Sequence, residues 1–281
     1  MNTSNTTQTT TSPIAQTAAT FRALCAARNL VLPNAWDAAS AICAARAGAP
    51  AIATTSAGIA WAHGVRDGGG LTLDQALTAL AVIARITDLP VTADLEDGYE
   101  DNTRKLTDLI SRVLDLGVVG INIEDSHGGE LVDASRQSRR IEAVRGAAEA
   151  TGVHLFVNAR VDTALFGPSD PLKRDDECLA RAQSYVDAGA DGIFVPGVVD
   201  LPTVRKLAHA FRVPLNIMVG PGSPTVQDLL HAGAGRITTG MASALAAYAQ
   251  VEANARELLQ QGTHDGLRPS QDFAQFNAAM Q

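Results

Sequence analysis

Cysteine is scarce in this chain, and its placement excludes two ways of stabilising a fold. Three cysteines occur among 281 residues, at Cys25, Cys43 and Cys178. Their odd number and wide spacing argue against a disulfide framework and against a structural zinc site. Since 46% of the residues are hydrophobic, the chain has enough apolar material to build a sizeable core instead.

Long apolar runs and basic clusters are also missing. No stretch has the length and apolar character of a membrane span, and the polar start of the chain lacks the basic and apolar regions of a secretory signal. A net charge of −8 without a basic patch argues against nucleic-acid binding. We therefore expect a cytoplasmic protein whose partners are small molecules, with no nucleic-acid or membrane partner.

Eight short apolar runs alternate with helical stretches along the chain. Alternation of this kind predicts parallel strand pairing, and the chain length suits a (β/α)8 TIM-type barrel, whose active site lies at the carboxyl ends of the strands. The predicted strands are 29–32, 51–54, 91–94, 120–123, 155–158, 192–195, 215–218 and 236–239.

The chain shows no internal linker, so one catalytic domain is predicted. We expect a disordered polar tail over residues 1–15, the barrel over 16–262 and a polar, irregular C-terminal tail over 263–281. The last long helix, predicted over 243–259, either caps the barrel or packs against a partner subunit.

Two predicted strands end in carboxylates. Asp94 and Glu96 follow the third strand, and Glu124 and Asp125 follow the fourth. Since residues two apart in a strand face the same way, Asp94 with Glu96, and Asn122 with Glu124, can converge if the strands are parallel neighbours. Oxygen ligands in this number suit Mg²⁺. The alternative is a solvated acidic turn beside a helix N-terminus.

The loop after the second strand is rich in small residues. Thr55, Ser56 and Ala57 could hold a carboxylate or phosphoryl group with their amides and hydroxyls, although ordinary turns favour the same residue types. Asp67 would bring a further carboxylate to the metal region. Its neighbour Arg66 is as readily a surface charge.

A cation follows the fifth strand. Arg160 at the mouth of a barrel can clamp a substrate carboxylate with two hydrogen bonds; the alternative is an internal ion pair. Asn216, on the seventh strand, could complete the substrate pocket.

Together these residues resemble the isocitrate lyase and phosphoenolpyruvate mutase superfamily. The motifs that carry the resemblance are Thr55-Ser56-Ala57 leading to Gly64-Val-Arg-Asp67, Asp94-x-Glu96-x-Gly98-Tyr99, Glu124-Asp125 and Ala159-Arg160-Val161.

The resemblance implies a metal-dependent barrel enzyme. It implies Mg²⁺, with Mn²⁺ as a substitute, held by Asp94 and, largely through waters, by Glu96, Glu124 and Asp67, with a 2-oxo or enol acid chelating the ion. Arg160 and the loop from Thr55 to Ala57 would bind carboxylates. It also implies a homo-oligomer, a dimer or commonly a tetramer, whose subunits exchange a C-terminal helix.

The sequence departs from this pattern in two places. Glu96 stands where the lyases and mutases usually carry Asp. The loop over residues 126–138 also lacks the cysteine-bearing motif of the lyases and the gating motif of the mutases. Without that thiol, the carbanion leaving isocitrate or 2-methylisocitrate has no standard acid, which disfavours both of those cleavages.

We therefore predict a Mg²⁺-dependent lyase acting on a small 2-oxo or 2-hydroxy dicarboxylic acid, by decarboxylation or retro-aldol cleavage through a metal-stabilised enolate. Arg160, Glu124 and His127 are the predicted catalytic residues. His127 is a candidate acid because imidazole titrates near neutral pH, although a lone histidine in a Gly-flanked loop is more often an ordinary residue without a catalytic role. The alternatives are a phosphonomutase and a non-catalytic metabolite-binding barrel.

Overall fold

A computed structural model describes residues 12–100, 102–268 and 272–280. The strands within these ranges are β1 Leu30–Leu32, β2 Asn34–Ala35, β3 Ile52–Thr54, β4 Val91–Asp94, β5 Val118–Glu124, β6 Ser126–His127, β7 Glu130–Leu131, β8 Phe156–Arg160, β9 Gly192–Phe194, β10 Leu215–Met218 and β11 Arg236–Thr238. All except β6 and β7, which form a separate antiparallel hairpin, belong to one parallel sheet.

Helices connect the strands. They are α1 Pro13–Ala26, α2 Ala38–Arg46, α3 Ser56–Ala62, α4 Leu73–Arg85, α5 Thr103–Asp115, α6 Ala134–Ala150, α7 Thr163–Phe166, α8 Pro171–Asp187, α9 Leu201–Ala210, α10 Val226–His231, α11 Ala242–Gln261 and α12 Phe273–Ala278. Among the described residues, no helix has both the length and the apolar character needed to cross a membrane.

The sheet closes into a barrel through a strand that Pro33 divides in two. Its order is β1-β11-β10-β9-β8-β5-β4-β3-β2, so the two edges are β1 and β2, which are separated in sequence by Pro33 alone. Proline has no backbone N–H and interrupts a ladder at its own position. β1 and β2 thus act as one strand, and the predicted eight-stranded barrel is confirmed.

The helix bounds correct both predicted tails. α1 begins at Pro13, and the Ser12 hydroxyl accepts a hydrogen bond from the backbone N–H of Ala15. Residues 13–15 are therefore helical, and the tail predicted over residues 1–15 was too long. Residues 1–11 lie outside the described ranges. At the other end, α11 stops at Gly262, whose φ of 68° favours glycine. The segment predicted to be irregular contains α12.

Helix α1 closes the amino end of the barrel. Phe21 on this helix is fully buried and packs edge-on against Phe156 at the start of β8, with ring centroids 5.6 Å apart. Gly120 leaves the space that Phe21 fills, because a Cβ at Gly120 would lie 2.7 Å from the Phe21 ring and 2.9 Å from the Thr92 hydroxyl. The active end of the barrel is therefore the opposite, carboxyl end.

The barrel interior is polar. Asn158 donates to Asn122 across β8 and β5 at 2.8 Å, and Asn216 donates to Thr238 across β10 and β11 at 3.0 Å. Arg236 is fully buried, and its three side-chain nitrogens make no hydrogen bond to any described residue. Burial lowers the pKa of Arg236 to about 10, because the charged guanidinium is destabilised when it is removed from water.

A pair of glycine substitutions tests this packing. Gly120→Ala should lower the free energy of unfolding by about 1–3 kcal/mol, because the added methyl group forces Phe21 or Thr92 to move. Gly146→Ala, on the exposed face of α6 with no atom near the added Cβ, should raise it by about 0.5–1 kcal/mol. Urea unfolding of both variants measures the difference, and equal midpoints would contradict this account of the core.

Candidate active site

Asp94, the last residue of β4, is held by the residue at the start of α3, which follows the neighbouring strand β3. One carboxylate oxygen, Oδ2, accepts from the Ser56 hydroxyl at 2.9 Å and from the Ser56 backbone N–H at 3.3 Å. The Asp94 backbone N–H donates to the Thr54 hydroxyl at 2.9 Å. The other oxygen, Oδ1, is buried and has no hydrogen-bond partner among the described residues. Asp94 is thus fixed by one oxygen and has the other available.

Glu96 reaches the site from a turn, so the prediction that it shares a strand with Asp94 was wrong. β4 ends at Asp94, and Glu96 has a φ of 49°, a left-handed conformation that costs a non-glycine residue energy. Its carboxylate accepts from the Gly69 backbone N–H at 2.8 Å and from the Tyr99 hydroxyl at 3.0 Å. Burial raises the pKa of Glu96. The strained turn positions the carboxylate and ties the loop at Gly69 to it.

Arg160 forms an internal ion-pair network, as the alternative interpretation predicted. Its guanidinium lies 2.6 Å from Glu124 Oε2 and 2.7 Å from Asp162 Oδ1. The pairing of β5 with β8 sets Glu124 directly opposite Arg160. Asp162 also accepts from the Ser126 hydroxyl at 2.5 Å. Two carboxylates therefore balance the Arg160 charge, and its part in binding substrate remains a prediction.

A buried network behind this ion pair anchors the following loop. Asp125 is fully buried and accepts from the Asp162 backbone N–H at 2.8 Å, the Tyr185 hydroxyl at 2.7 Å and Arg181 at 3.1 Å. Arg181 also donates to the Val132 carbonyl at 2.8 Å. Both ends of the segment from 125 to 132 are thus attached to α8, which fixes the hairpin of β6 and β7 at the mouth.

His127 lies on this hairpin and points to a second loop. Its Nδ1 is 2.5 Å from Asp97 Oδ2, and the imidazole side chain is largely exposed. The turn between the two strands carries Gly128 and Gly129, with φ values of 61° and 86°. The histidine is therefore oriented by an aspartate while remaining open to the cavity.

A cavity of about 510 Å³ opens at the carboxyl ends of the strands. Six of the predicted site residues line it, and they are Ser56, Asp67, Glu96, Glu124, His127 and Arg160. Asp94, whose carboxylate is held by the Ser56 hydroxyl, is not part of the lining, and three predicted substrate-binding residues are not either. Thr55 and Ala57 are buried at the start of α3, and Asn216 is buried in the barrel interior, where β10 pairs it with Arg236 below the mouth.

Burial, and after it the nearness of other acids, raises the pKa values of Asp67, Glu96 and Glu124 in this cavity. For Asp67, the loss of solvent is the largest cause and the nearby Asp94 carboxylate is the next. For Glu124, burial and the carboxylates of Asp162 and Asp94 outweigh the favourable effect of Arg160, and its pKa is raised. Bringing these ionised groups together costs free energy that a bound cation would offset.

The donor set fits a hard divalent cation. Asp94 has a buried oxygen without a partner, and the surrounding candidates Asp67, Glu96 and Glu124 all offer carboxylate oxygens. Across the described ranges, no group of three or more His, Cys, Asp or Glu side chains is arranged so that all of them could hold one metal ion. Mg²⁺ does not need such a group, because it commonly uses one or two carboxylates and keeps several of its waters.

Several contacts of the site could not be predicted from the sequence. Tyr99 and Asp97 orient Glu96 and His127, and the sequence offers no pattern that pairs them. The contact of Asp125 with Arg181 and Tyr185 joins residues about 60 positions apart, and the sequence has no pattern that brings α8 to the residue after β5.

Comparison with known proteins agrees with this geometry. Residues 21–259 match the family described as phosphoenolpyruvate phosphomutase. An uncharacterized protein of Mycobacterium tuberculosis (strain ATCC 25618 / H37Rv) is 37% identical over 211 residues, covering 75% of this chain and 77% of that protein. The 2-methylisocitrate lyase of Salmonella typhimurium (strain LT2) is 30% identical over 204 residues, covering 69% and 67%.

A solved structure shares both fold and sequence. The crystal structure of a protein from Burkholderia cenocepacia J2315, which carries a provisional phosphonomutase name, is 39% identical to this chain with a TM-score of 0.82. The match covers 86% of this chain and 99% of that one. The chain therefore belongs to the phosphoenolpyruvate phosphomutase family, and it is an enzyme of the isocitrate lyase and phosphoenolpyruvate mutase superfamily of carbon–carbon lyases and phosphonomutases.

Proposed function

We propose that this enzyme is a Mg²⁺- or Mn²⁺-dependent lyase that cleaves a carbon–carbon bond in a small 2-oxo or 2-hydroxy dicarboxylic acid. The observation that carries the proposal is the oxygen-only donor set at the barrel mouth, where Asp94 has a free buried oxygen near Asp67 and Glu124. Mg²⁺ bound there would supply a Lewis acid that stabilises an enolate.

The positions of the cysteines favour this reaction over cleavage of isocitrate-type substrates. Within the described residues, no thiol lines the cavity. Cys25 and Cys178 are buried in helices, and burial raises the pKa of each to about 11, while Cys43 lies exposed on α2. Since none of these three thiols lines the cavity, none can donate a proton to a substrate bound there. The reaction must therefore use another acid or a water molecule.

The remaining roles follow from the contacts. Glu124 lines the cavity with its carboxylate 2.6 Å from the Arg160 guanidinium, which holds it in place beside the substrate. His127 is the proposed acid, since Asp97 orients its ring at the cavity edge. Arg160 holds Glu124 and Asp162 in register and would stabilise a substrate carboxylate as one more member of its network.

A phosphonomutase is the second candidate. The description of the matched family and the provisional name of the Burkholderia structure favour it. The loop carrying Ser126 and His127 would then have to surround a transferring phosphoryl group. The same metal and Arg160 would serve either reaction, so the substrate decides between them.

We also propose a cytoplasmic homo-oligomer, a dimer or tetramer. Helix α11 packs on its own barrel where Tyr248 contacts Trp36 and Trp61. Much of its remaining apolar surface is exposed, including Leu245, Val251, Leu258 and Leu259. A face of this kind on a helix favours contact with a second copy of the chain.

Turnover of defined substrates tests the lyase. Proton and phosphorus NMR of the purified protein with Mg²⁺ should show pyruvate formed from oxaloacetate, or cleavage of a substituted malate, above the rate with metal alone and abolished by EDTA. Asp94→Asn should lower kcat/KM by about 100-fold or more, because it removes the charge that would hold the ion. Arg160→Met should also abolish turnover, since Glu124 and Asp162 lose their shared cation.

The control is Asp108→Asn, which changes an exposed carboxylate of α5 and should leave turnover unaltered. His127→Gln should lower kcat without weakening Mg²⁺ binding. New phosphorus signals from phosphonopyruvate would instead establish the mutase. Melting shifts with every acid and no turnover would favour the metabolite-binding barrel, and unchanged kinetics in Asp94→Asn and Arg160→Met would refute the site.

Stability against pH tests the proposed metal site without turnover. Folding raises the pKa values of Asp67, Glu96 and Glu124. Their ionised forms therefore destabilise the metal-free fold above the folded pKa values, and this penalty is lost as the pH falls through them. Mg²⁺ competes with protons for the same oxygens. Calorimetry should show a larger Mg²⁺-induced rise in Tm at about pH 8 than at about pH 5.

The matched control for this measurement is EDTA-treated protein at equal ionic strength. Asp67→Asn should reduce the Mg²⁺-induced shift, since it removes one of the crowded carboxylates. A shift that is equal at both pH values, or larger in acid, would show that Mg²⁺ acts elsewhere on the protein.

A further inference from the structure

One positively charged side chain at the mouth of the barrel forms no ion pair with any described residue. Two arginines line the cavity, Arg66 and Arg160. Arg160 is paired with Glu124 and Asp162. Arg66 is exposed and forms neither an ion pair nor a side-chain hydrogen bond with any described residue. The cavity therefore presents one guanidinium that is free to meet an anion from solution.

The loop that carries Arg66 is fixed at both ends, so the backbone of this residue has a defined place at the rim. On one side, the Val65 backbone N–H donates to the Ala60 carbonyl at 3.0 Å. On the other, the Gly69 backbone N–H donates to Glu96 at 2.8 Å. Between them the chain folds back so tightly that a Cβ at Gly70 would lie 2.0 Å from the Arg66 carbonyl oxygen. The backbone of Arg66 is thus held at the rim while its side chain is free to turn.

Arg66 precedes Asp67 in the chain, and we expect the two residues to contact different ends of a bound substrate. Asp67 belongs to the acidic group around the proposed metal, since its pKa responds to Asp94. A substrate whose 2-oxo acid end meets that group would extend its far end toward the rim. There it would meet Arg66 and, on the other side, the wall formed by Gly128, Gly129 and the half-exposed Phe166.

We propose that Arg66 determines specificity for dicarboxylates by binding the substrate carboxylate farthest from the metal. This inference rests on the proposed function and adds the residue that selects the substrate class. A carboxylate there would gain a charge-assisted hydrogen bond at a place where the neighbouring groups are otherwise acidic. A monocarboxylate that lacks this distal group would leave Arg66 in solvent, as it is in the free protein.

Binding of two matched acids tests the proposal. Malate and lactate share the 2-hydroxy acid group and differ in the distal carboxylate. Isothermal titration of the Mg²⁺-loaded protein should show malate binding about tenfold more tightly than lactate, a difference of about 1.4 kcal/mol. In Arg66→Gln this preference should fall to about twofold or less, while the affinities for lactate and Mg²⁺ stay unchanged. Arg66→Lys should restore part of it.

Kinetics give a second readout. With a dicarboxylate substrate, Arg66→Gln should raise KM with little change in kcat, because the contact is made equally in the bound substrate and the transition state. Arg104→Gln, which neutralises an exposed arginine of α5 away from the cavity, is the control and should change neither constant.

The outcomes separate this proposal from the one it rests on. If the wild-type protein prefers malate and Arg66→Gln keeps that preference, Arg66 is not the binding residue, although the lyase assignment stands. If the wild-type protein binds lactate with Mg²⁺ but shows no preference for malate, the distal site is refuted. If neither acid binds in a Mg²⁺-dependent way, the proposed function itself fails.

Discussion

The mouth of the barrel is built around the Arg160 guanidinium, which lies between Glu124 and Asp162. Burying an ionised carboxylate costs several kcal/mol unless an opposite charge lies close to it. Arg160 meets that requirement for two acids and leaves the others without a cation. Asp94 and Glu96 instead rely on hydrogen bonds from Ser56, Gly69 and Tyr99. The site is therefore folded and still deficient in positive charge, which is the condition under which a divalent ion binds.

The same constraint explains why the surrounding loops are anchored so firmly. Three acids at the mouth take a hydrogen bond from a loop that follows another strand. Ser56 reaches Asp94, Gly69 reaches Glu96, and Ser126 reaches Asp162. The loop after β3 is thereby linked to the end of β4, and the loop after β5 to the end of β8, through hydrogen bonds to the acids. A change in the charge of one carboxylate should therefore be felt in the loops that cover the cavity.

The sequence predicts the barrel and most of its acids, since apolar runs at regular spacing imply parallel strands whose ends meet at one face. It could not place Glu96, whose position depends on a left-handed turn that strand alternation does not describe. The sequence also predicted Asn216 in the pocket. A polar residue that faces the barrel interior gives the same sequence pattern whether it lies at the mouth or below it. The role of Arg160 depended on which acids stand opposite it, and that is decided by strand register.

The most direct test of the account is where a metal binds. Crystals grown with Mn²⁺ and oxalate, an unreactive chelating acid, can be measured at the manganese absorption edge. The account predicts one anomalous peak at the barrel mouth, about 2.0–2.4 Å from an Asp94 carboxylate oxygen, with oxalate on the same ion. The peak should vanish in Asp94→Asn crystals. Absence of a peak at saturating Mn²⁺, or a peak that persists in that variant, would contradict the central claim.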